Sequence, residues 1–242
     1  MKKTLLKKLF STLTIFSISL IPALSTSHAF AQTWSWNAKI EKPADGSPII
    51  VALPEVTLSE LTVTGMKDPK PEWSENAKKY LIQSIKEELE KKKYKISNFE
   101  PDANSNPDTI QVLKLNKVVS ASIFLNDQLP TKKGKFEWTL GEDVKLIVPS
   151  DIPENEKPKY ALFFEVEGTY SSAGRKLMTA VAIVGGVGVA TGAGQAVRAT
   201  LVDLKTGQVV WYNLDIVSFA KDIRTLEGSQ SEIVELFKKL PL

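Results

Sequence analysis

The sequence contains no cysteine and a single histidine, and each scarcity excludes a class of chemistry. Without cysteine there is no thiol nucleophile, no disulfide framework, no cysteine-ligated zinc site and no attachment point for the acyl chains of a lipoprotein. The one histidine, His28, lies within the first 31 residues. The character of those residues decides whether it belongs to the folded protein.

The first 31 residues have the organisation of a secretory signal peptide. A basic start is followed by an apolar run over residues 9–24, and Ala29 and Ala31 place small side chains just before Gln32. This order predicts export and cleavage after Ala31. An uncleaved membrane anchor is disfavoured because the run is short, is broken by Pro22 and is rich in serine and threonine. We therefore expect a periplasmic or secreted protein that is not a lipoprotein.

Cleavage after Ala31 would change the chemistry of the chain. Of the 31 basic residues, four lysines would leave with the signal peptide, so 27 would remain against 28 acidic residues, a net charge of −1. A nearly neutral chain gives no reason to expect nucleic-acid binding. His28 would leave as well, which excludes a Ser-His-Asp triad and a histidine-ligated metal site. We expect no metal, no cofactor and no enzyme activity.

The remaining chain predicts an extended arm over residues 32–47 and a single domain over residues 48–242. Apolar or alternating runs predict strands, and helical periodicity predicts helices. The predicted strands span residues 48–56, 95–100, 159–170, 197–203 and 209–217, and the predicted helices span residues 73–94, 106–125 and 229–242. This order indicates an α/β (α+β) sandwich, in which helices pack on a mixed sheet of about five strands and the chain ends in a β-hairpin and a helix.

Local patterns refine this outline. Ser74 and Asp108 are predicted to cap the first and second helices, and the polar residues 58–73 predict a connection. In residues 159–170 the side chains alternate, with Glu165 and Glu167 on one side, which predicts a strand with one polar face.

A turn at Thr206 and Gly207 predicts the C-terminal hairpin. Pairing outward from a loop of two or four residues gives one apolar face and one polar face. The apolar face would pair Val197 with Ile216, Ala199 with Leu214 and Leu201 with Tyr212. The polar face would pair Arg198 with Asp215 and Thr200 with Asn213, a charge pair and a hydrogen-bonding pair that stabilise antiparallel strands.

An uncharged run from Leu177 to Val197 contains five glycines and occupies most of an insert at residues 175–196. It lacks the third glycine of a dinucleotide-binding fingerprint and the lysine of a P-loop, so it is not a nucleotide site. Residues 174–184 predict a short helix, and the glycines that follow predict a flexible connector. Five glycines, at about 1 kcal/mol each relative to alanine, argue against one continuous transmembrane helix.

Two interpretations of this insert remain. We favour a helix buried on one face of the sheet, and the alternative is an apolar, glycine-hinged flap that docks onto lipid or another subunit. Gly188 and Gly192 have the small-xxx-small spacing that lets helices approach closely. The candidate interaction residues of the insert are Leu177, Met178, Ile183, Gly185, Gly186, Gly188 and Gly192.

Three tryptophans are further candidates for contact. Trp34 and Trp36 lie in the predicted arm, and Trp211 lies on the outer face of the predicted hairpin. A large aromatic side chain on a polar face indicates that something covers it. For Trp211 we favour coverage within the chain over coverage by a partner.

Two alternatives involve the carboxylates of residues 159–170. Glu165 and Glu167 would be roughly 7 Å apart along one strand face, a spacing that suits an inverting glycosidase. Alternate acids on an exposed strand are usually only solvated, so this enzyme hypothesis is disfavoured. The second alternative is a small-ligand-binding module with a pocket rimmed by Trp138, Glu165 and Glu167.

Several motifs resemble a known family. "IIVALPEV" before an amphipathic helix, the strand "YALFFEVEG" and the hairpin "ATLVDLKTGQVVW" are similar to the periplasmic α/β domain shared by the curli secretion-channel lipoprotein and the amino-terminal domain of the Tol β-propeller protein. The segment from Tyr160 into the insert also resembles uncharacterised secreted proteins of Gram-negative bacteria. The insert does not alternate polar and apolar residues, so it does not match the pore hairpins of the curli channel.

The resemblance implies a non-enzymatic envelope component that is often oligomeric and often works at the outer membrane. We therefore expect a cell-envelope protein that acts in envelope assembly or secretion through protein–protein or outer-membrane contacts. Its expected partners are another envelope protein or further copies of itself, with peripheral membrane contact and no nucleic acid.

Overall fold

The computed structural model describes residues 32–38, 40–101, 106–128, 137–184, 193–217 and 221–242. In this part of the chain eight strands form one mixed sheet. The strands are β1 (Gln32–Asn37), β2 (Pro48–Ala52), β3 (Glu55–Leu61), β4 (Lys67–Pro69), β5 (Lys95–Phe99), β6 (Tyr160–Ser171), β7 (Gly194–Asp203) and β8 (Val209–Val217). The helices are α1 (Pro71–Lys91), α2 (Pro107–Gln128), α3 (Ala173–Val184) and α4 (Leu226–Leu236).

Strand β6 lies at the centre of the sheet and pairs along both edges. One edge pairs antiparallel with β7 over Tyr160–Thr169. The other edge pairs parallel with β2 at its start and with β3 from Glu165 onward. Leu53 and Pro54 separate β2 from β3, and the break falls at a proline because proline has no N–H to donate to a ladder. The order along the main path is β1-β8-β7-β6-β2-β5, with β4 added beside β3.

Helices α1 and α4 cover one face of the sheet, and they also pack against each other. Apolar strand residues such as Leu162, Val197 and Trp211 contact the apolar stripes of both helices there. The helical members of this core are Ala77, Leu81, Ile85 and Leu89 of α1, and Ile233 and Leu236 of α4. Each fully buried large apolar side chain contributes about 1.5–3 kcal/mol, so this face supplies much of the stability of the fold.

Helix α2 and the short 3₁₀ helix Glu142–Ile147 cover the opposite face. Their apolar side chains pack on alternate residues of the same strands, including Ala161 and Phe163 of β6. The layers are therefore helix, sheet and helix. This arrangement confirms the predicted α/β sandwich with a mixed sheet and a C-terminal hairpin followed by a helix.

Several strand predictions need correction. The predicted strand at 48–56 is split into β2 and the start of β3, and residues 58–73, predicted as a polar connection, contribute the end of β3, all of β4 and the start of α1. The start of the predicted arm forms β1, which pairs antiparallel with β8. Strand β6 is buried on both faces except at Glu167 and its last residue, Ser171, because α2 covers the face that the alternation marked as polar.

Two helix caps also differ from the prediction. Helix α1 begins at Pro71, and Ser74 lies in its first turn, where the hydroxyl accepts a hydrogen bond from the Leu58 N–H at 2.9 Å. Helix α2 is capped by Asn106, whose side-chain oxygen accepts from the Asp108 N–H at 3.0 Å. Serine, aspartate and asparagine side chains can all accept from free backbone N–H groups. Helical spacing alone therefore did not identify the capping residue.

The predicted hairpin is present, but its register is shifted by one residue. Strand β8 contains a bulge: Val202 pairs with Val209, whereas Leu201 pairs with Trp211, so Val210 is an extra residue. Because strand side chains alternate, a shift of one residue moves every β8 side chain to the other face. The Arg198–Asp215 pair is therefore wrong, since Arg198 lies opposite Leu214.

The other members of the predicted pairs change in the same way. Val197 lies opposite Asp215, Ala199 opposite Asn213 and Thr200 opposite Tyr212. The turn at Thr206 and Gly207 is where the sequence placed it, and the Asp203 carboxylate stabilises it by accepting from the Lys205 and Thr206 N–H groups at 2.8 and 3.1 Å. Gly207 itself has a φ of 72°.

We expect the Gly207→Ala substitution to lower the free energy of unfolding by about 3 kcal/mol. The alanine would have to adopt an unfavourable left-handed backbone conformation. Its methyl would also lie only 2.6 Å from the carbonyl carbon of Gly141. Gly46→Ala is the matched control: its φ is 82°, but nothing lies within 4 Å of the added methyl, so only about 1 kcal/mol is expected. Urea denaturation of both variants measures the difference, and equal losses would contradict the predicted clash.

Candidate functional site

Helix α3 leaves the sheet where β6 ends, in the long connection between β6 and β7. Ser172 caps the helix, because its hydroxyl accepts from the Arg175 N–H at 3.2 Å and its carbonyl accepts from the Lys176 N–H at 2.9 Å. The Ser172 N–H donates to the carbonyl of Leu61, the last residue of β3, at 3.0 Å. The start of α3 is therefore fixed to the end of the sheet, and the short helix predicted at 174–184 is present as α3.

The apolar side chains of α3 are exposed. Leu177 is 66% exposed and Met178 is 59% exposed. They follow Gly174 at helical spacings of three and four, so all three residues lie on one side of the helix. Burial of this helix against the sheet, the interpretation favoured from the sequence, is therefore wrong for Leu177 and Met178. The flap interpretation agrees with their exposure.

The exposed side of α3 continues onto the loop between β3 and β4. A methyl added at Gly174 would lie 2.8 Å from a methyl of Val63, which shows how closely the loop approaches the helix. Val63 and Met66 on this loop are themselves exposed. We call Val63, Met66, Leu177 and Met178 the α3 patch. Such clusters of exposed apolar side chains commonly mark interaction sites.

Basic side chains accompany the α3 patch. Lys176 is an exposed residue in the first turn of α3, and Lys67 is exposed at the start of β4. Lys67 also lines an open groove of about 400 Å³ on the adjoining face of the sheet, together with Thr57, Ser59 and Glu167. The α3 patch therefore combines apolar area with nearby positive charge.

The base of the insert is rigid. The Arg224 guanidinium lies 3.7 Å from the ring centre of Tyr170 and 4.8 Å from that of Trp73. The two rings meet edge to face at 5.9 Å. Asp222 accepts from Arg224 at 2.9 and 2.6 Å through its two oxygens. Burial opposes ionisation of Asp222, but the guanidinium outweighs it and holds the pKa of that carboxyl below its ordinary value.

A chain of hydrogen bonds joins both ends of the insert to this base. The Tyr170 hydroxyl at the end of β6 donates to the side-chain carbonyl of Gln195 at the start of β7. Gln195 in turn donates to the Lys221 carbonyl and accepts from the Ile223 N–H. Burial raises the pKa of Tyr170 above its ordinary value, so the phenol stays protonated and remains a donor. These hydrogen bonds therefore hold the backbone at both ends of the insert that contains the exposed helix α3.

A buried pair of carboxyl groups lies beneath this base, between β8 and α4. Asp215 and Glu232 are both fully buried, and Lys221 approaches them at 3.1 and 3.5 Å. Burial raises the pKa of Glu232 to about 8, with the neighbouring Asp215 adding to the effect and Lys221 opposing it. At neutral pH Glu232 is therefore mainly protonated.

The other candidate interaction residues lie in different parts of the structure. Trp211 is fully buried in the core, so coverage within the chain is confirmed and its role as an interaction residue is wrong. The backbones of Trp34 and Trp36 lie in β1, opposite Leu214 and Tyr212. The backbone of Ile183 lies in α3. The four glycines named from the insert, Gly185, Gly186, Gly188 and Gly192, lie outside the described residues.

Glu165 is an ion-paired carboxylate rather than a free one. It is 6% exposed and contacts Arg198 through one oxygen, while Lys117 of α2 lies 3.5 Å from the other. The cavity between Glu165 and Glu167 has a volume of about 20 Å³, which is too small for the sugar and water that an inverting pair must hold. These two residues do not form a glycosidase site.

Trp138 does not join these carboxylates in a pocket. Its carbonyl accepts from the Val209 N–H at 2.8 Å, which places it beside the β7–β8 turn. Val209 pairs with Val202 and, through it, with Ala161. Glu165 lies four residues further along β6, or about 13 Å. The ligand pocket proposed from the sequence is therefore not formed by these residues.

Within the described ranges, no group of three histidine, cysteine, aspartate or glutamate side chains is arranged to hold a metal ion. Within the same ranges, no helix has both the length and the apolar character needed to cross a bilayer. Helix α3, with 12 residues, would reach about 18 Å.

Sequence reasoning missed the residues at the base of the insert. Trp73, Tyr170 and Arg224 come from three distant segments, so no local pattern connects them. Glu232 did carry a detectable pattern. It lies on the same side of α4 as Ser229, Ile233 and Leu236, and a charged residue on the buried side of a helix indicates a partner or a shifted pKa.

Protein stability should fall as pH rises from about 5 to 8. The ordinary pKa of a glutamate is 4.5, whereas that of Glu232 in the fold is about 8, so folding favours the neutral form. Its contribution is fully present below pH 4.5 and is lost as pH rises through the folded value, at up to ~1.4 kcal/mol per pH unit. Urea denaturation at several pH values would measure this slope.

Glu232→Gln should flatten that dependence, because the amide cannot ionise. Glu235→Gln is the matched control, since Glu235 lies on the same helix and pairs with Lys238 at the surface. This control should keep the slope of the parent protein. A parent protein whose stability does not change between pH 5 and 8 would contradict the assignment of a neutral Glu232.

Comparison with known proteins finds only weak similarity to solved structures. No family model and no curated protein sequence matches the chain. Among solved structures, it is similar to the PelC dodecamer from Paraburkholderia phytofirmans, with 13% sequence identity and a TM-score of 0.36 over 88% of this chain and 98% of that one. A single-residue variant of that dodecamer gives 12% identity and a TM-score of 0.32 over 82% and 95% of the two chains. These values are too low to assign a function.

Proposed function

We propose that the protein is an exported, non-enzymatic component of the cell envelope that docks onto a membrane surface through the α3 patch. Support for export comes from the first 31 residues, with their basic start, apolar run and Ala29-Phe30-Ala31 site. The resemblance to the periplasmic α/β family points to the same compartment. That kinship remains a prediction from the motifs of the sequence.

Export predicts a defined new N-terminus. N-terminal sequencing of protein recovered from the periplasm or the medium should give Gln32 as the first residue. Ala31→Arg should block processing, because the cleavage site requires a small residue at that position. Ser27→Ala is the control and should be processed normally. Recovery of an unprocessed chain from the soluble periplasm would contradict cleavage.

The exposure of Leu177 and Met178 carries the docking proposal. Both side chains belong to a short helix with an uncharged C-terminal half. Lys176 precedes them on the same helix, and interfacial helices commonly combine apolar side chains with flanking basic ones that attract anionic lipids. The rigid base formed by Trp73, Tyr170 and Arg224 would hold the helix in place while its apolar side enters the headgroup region.

A different observation favours self-association as a second candidate function. Helix α2 carries exposed apolar side chains at Leu115, Val118 and Leu125, with Ser122 completing a spacing of three, four and three residues. This spacing is the one that two helices use when they pack side by side. The outer side of α2 therefore fits the same helix of a second copy.

One pair of variants separates the two candidates. Leu177→Ser/Met178→Ser should reduce co-flotation with vesicles of phosphatidylglycerol and phosphatidylcholine about tenfold or more, because two apolar side chains no longer leave water on binding. Its molar mass by light scattering should not change. Val118→Ser/Leu125→Ser should leave flotation unchanged and shift the mass toward that of one chain.

Each double variant is the matched control for the other, since Val118 and Leu125 are both 62% exposed and thus similar to Leu177 and Met178. Equal loss of flotation in both variants would show general hydrophobic adsorption and would contradict a specific α3 patch. A parent protein that does not float with these vesicles would contradict membrane docking. A parent protein whose molar mass by light scattering is that of one chain would contradict association through α2.

A further inference from the structure

A basic cavity lies at the end of the sheet opposite the α3 patch. It has a volume of about 550 Å³ and is formed between the β7–β8 turn and the proline-rich segment that precedes β6. Four lysines line it: Lys145, Lys157, Lys159 and Lys205. Glu154 is the one acidic residue among the lining residues, so the formal charge of the lining is positive.

The backbone around the cavity is well fixed. The Leu204 N–H donates to the Lys159 carbonyl at 2.9 Å, which ties the turn to the segment before β6. The Lys205 N–H donates to the Asp203 carboxylate at 2.8 Å. Pro149 and Pro158 also line the cavity and restrict the backbone further. The four lysines, all exposed at the surface, therefore line an open cavity whose position is fixed by the β7–β8 turn and the start of β6.

The carboxylates that now pair with these lysines are weak competitors. Lys157 pairs with Glu154 at 2.5 Å, Lys159 with Glu41 at 2.7 Å, and Lys145 lies 3.8 Å from Glu142. All three glutamates are more than four-fifths exposed. Exposed ion pairs hold their side chains weakly and are screened by salt. An anion that contacts several lysines at once would displace them.

We propose that this cavity binds a phosphate-class anion that carries two or more negative charges. Each lysine ammonium offers three donors and one unit of charge, which suits the several oxygens of a phosphate group. A cavity of this size exceeds a single phosphate, and Val148, Pro149 and Leu204 supply an apolar wall for an organic group attached to it. The ligand is therefore a diphosphate or a phosphate ester, either free in solution or carried by a lipid headgroup.

Isothermal titration of the purified protein with pyrophosphate tests the proposal. We expect saturable binding that weakens when sodium chloride is raised from about 50 to about 300 mM, because the attraction is electrostatic. Lys157→Gln and Lys205→Gln should each raise Kd about fivefold or more, since each removes a hydrogen bond to a charged group. Lys86→Gln removes an exposed lysine of α1 that pairs with Glu90 at 3.9 Å, and should leave Kd unchanged.

Vesicles containing phosphatidic acid distinguish the two sources of phosphate. Binding to pyrophosphate alone supports a free ligand, and an additional loss of vesicle binding in Lys157→Gln and Lys205→Gln supports a lipid headgroup. The proposal is overturned if pyrophosphate gives no saturable binding, or if Lys86→Gln weakens binding as much as the cavity variants do. Circular dichroism of each variant confirms that the fold is kept. The result is independent of flotation through the α3 patch, which lies at the other end of the sheet.

Discussion

The pairing of β6 along both of its edges is the constraint on which the rest of the structure depends. Its antiparallel edge fixes β7, and its parallel edge fixes β2 and then β3. Because its side chains alternate, the same strand supplies apolar contacts to the helices on both faces of the sheet. The end of β6 also decides where α3 begins and therefore where the apolar insert leaves the sheet. Loss of this strand would remove both cores and the base of the insert together.

The secondary structure was largely predictable because it depends on local patterns. Apolar runs gave β2 and β6, and helical periodicity gave α1, α2 and α4. The face of each strand was harder to predict, as β8 shows. One extra residue, Val210, reverses the orientation of every side chain beyond it. The predicted pairs placed complementary side chains on both faces of the hairpin. Complementary chemistry alone therefore did not reveal the bulge that sets the observed register.

The same shift separates Arg198 from Asp215, the two charged residues predicted to pair. In the observed register Arg198 reaches Glu165 of β6, and Asp215 turns toward Lys221 and Glu232. Glu165 was expected on an exposed face because the sequence gives no information about which helix will cover a strand. Here α2 covers it and supplies Lys117, 3.5 Å away. Buried carboxylates require partners, and those of Glu165 come from segments far away in sequence.

The candidate site combines a rigid base with an exposed helix, and Lys221 connects the base to the buried carboxyl pair. Its backbone carbonyl accepts the Gln195 side chain, while its ammonium group lies 3.1 Å from Asp215 and 3.5 Å from Glu232. Burial raises the pKa of Glu232 to about 8, so at neutral pH this carboxyl is mainly the neutral acid. Lys221 therefore joins the hydrogen bonds that hold both ends of the insert to the buried carboxyl groups between β8 and α4. An apolar helix that must project from the sheet gains its fixed orientation from polar contacts that are themselves buried.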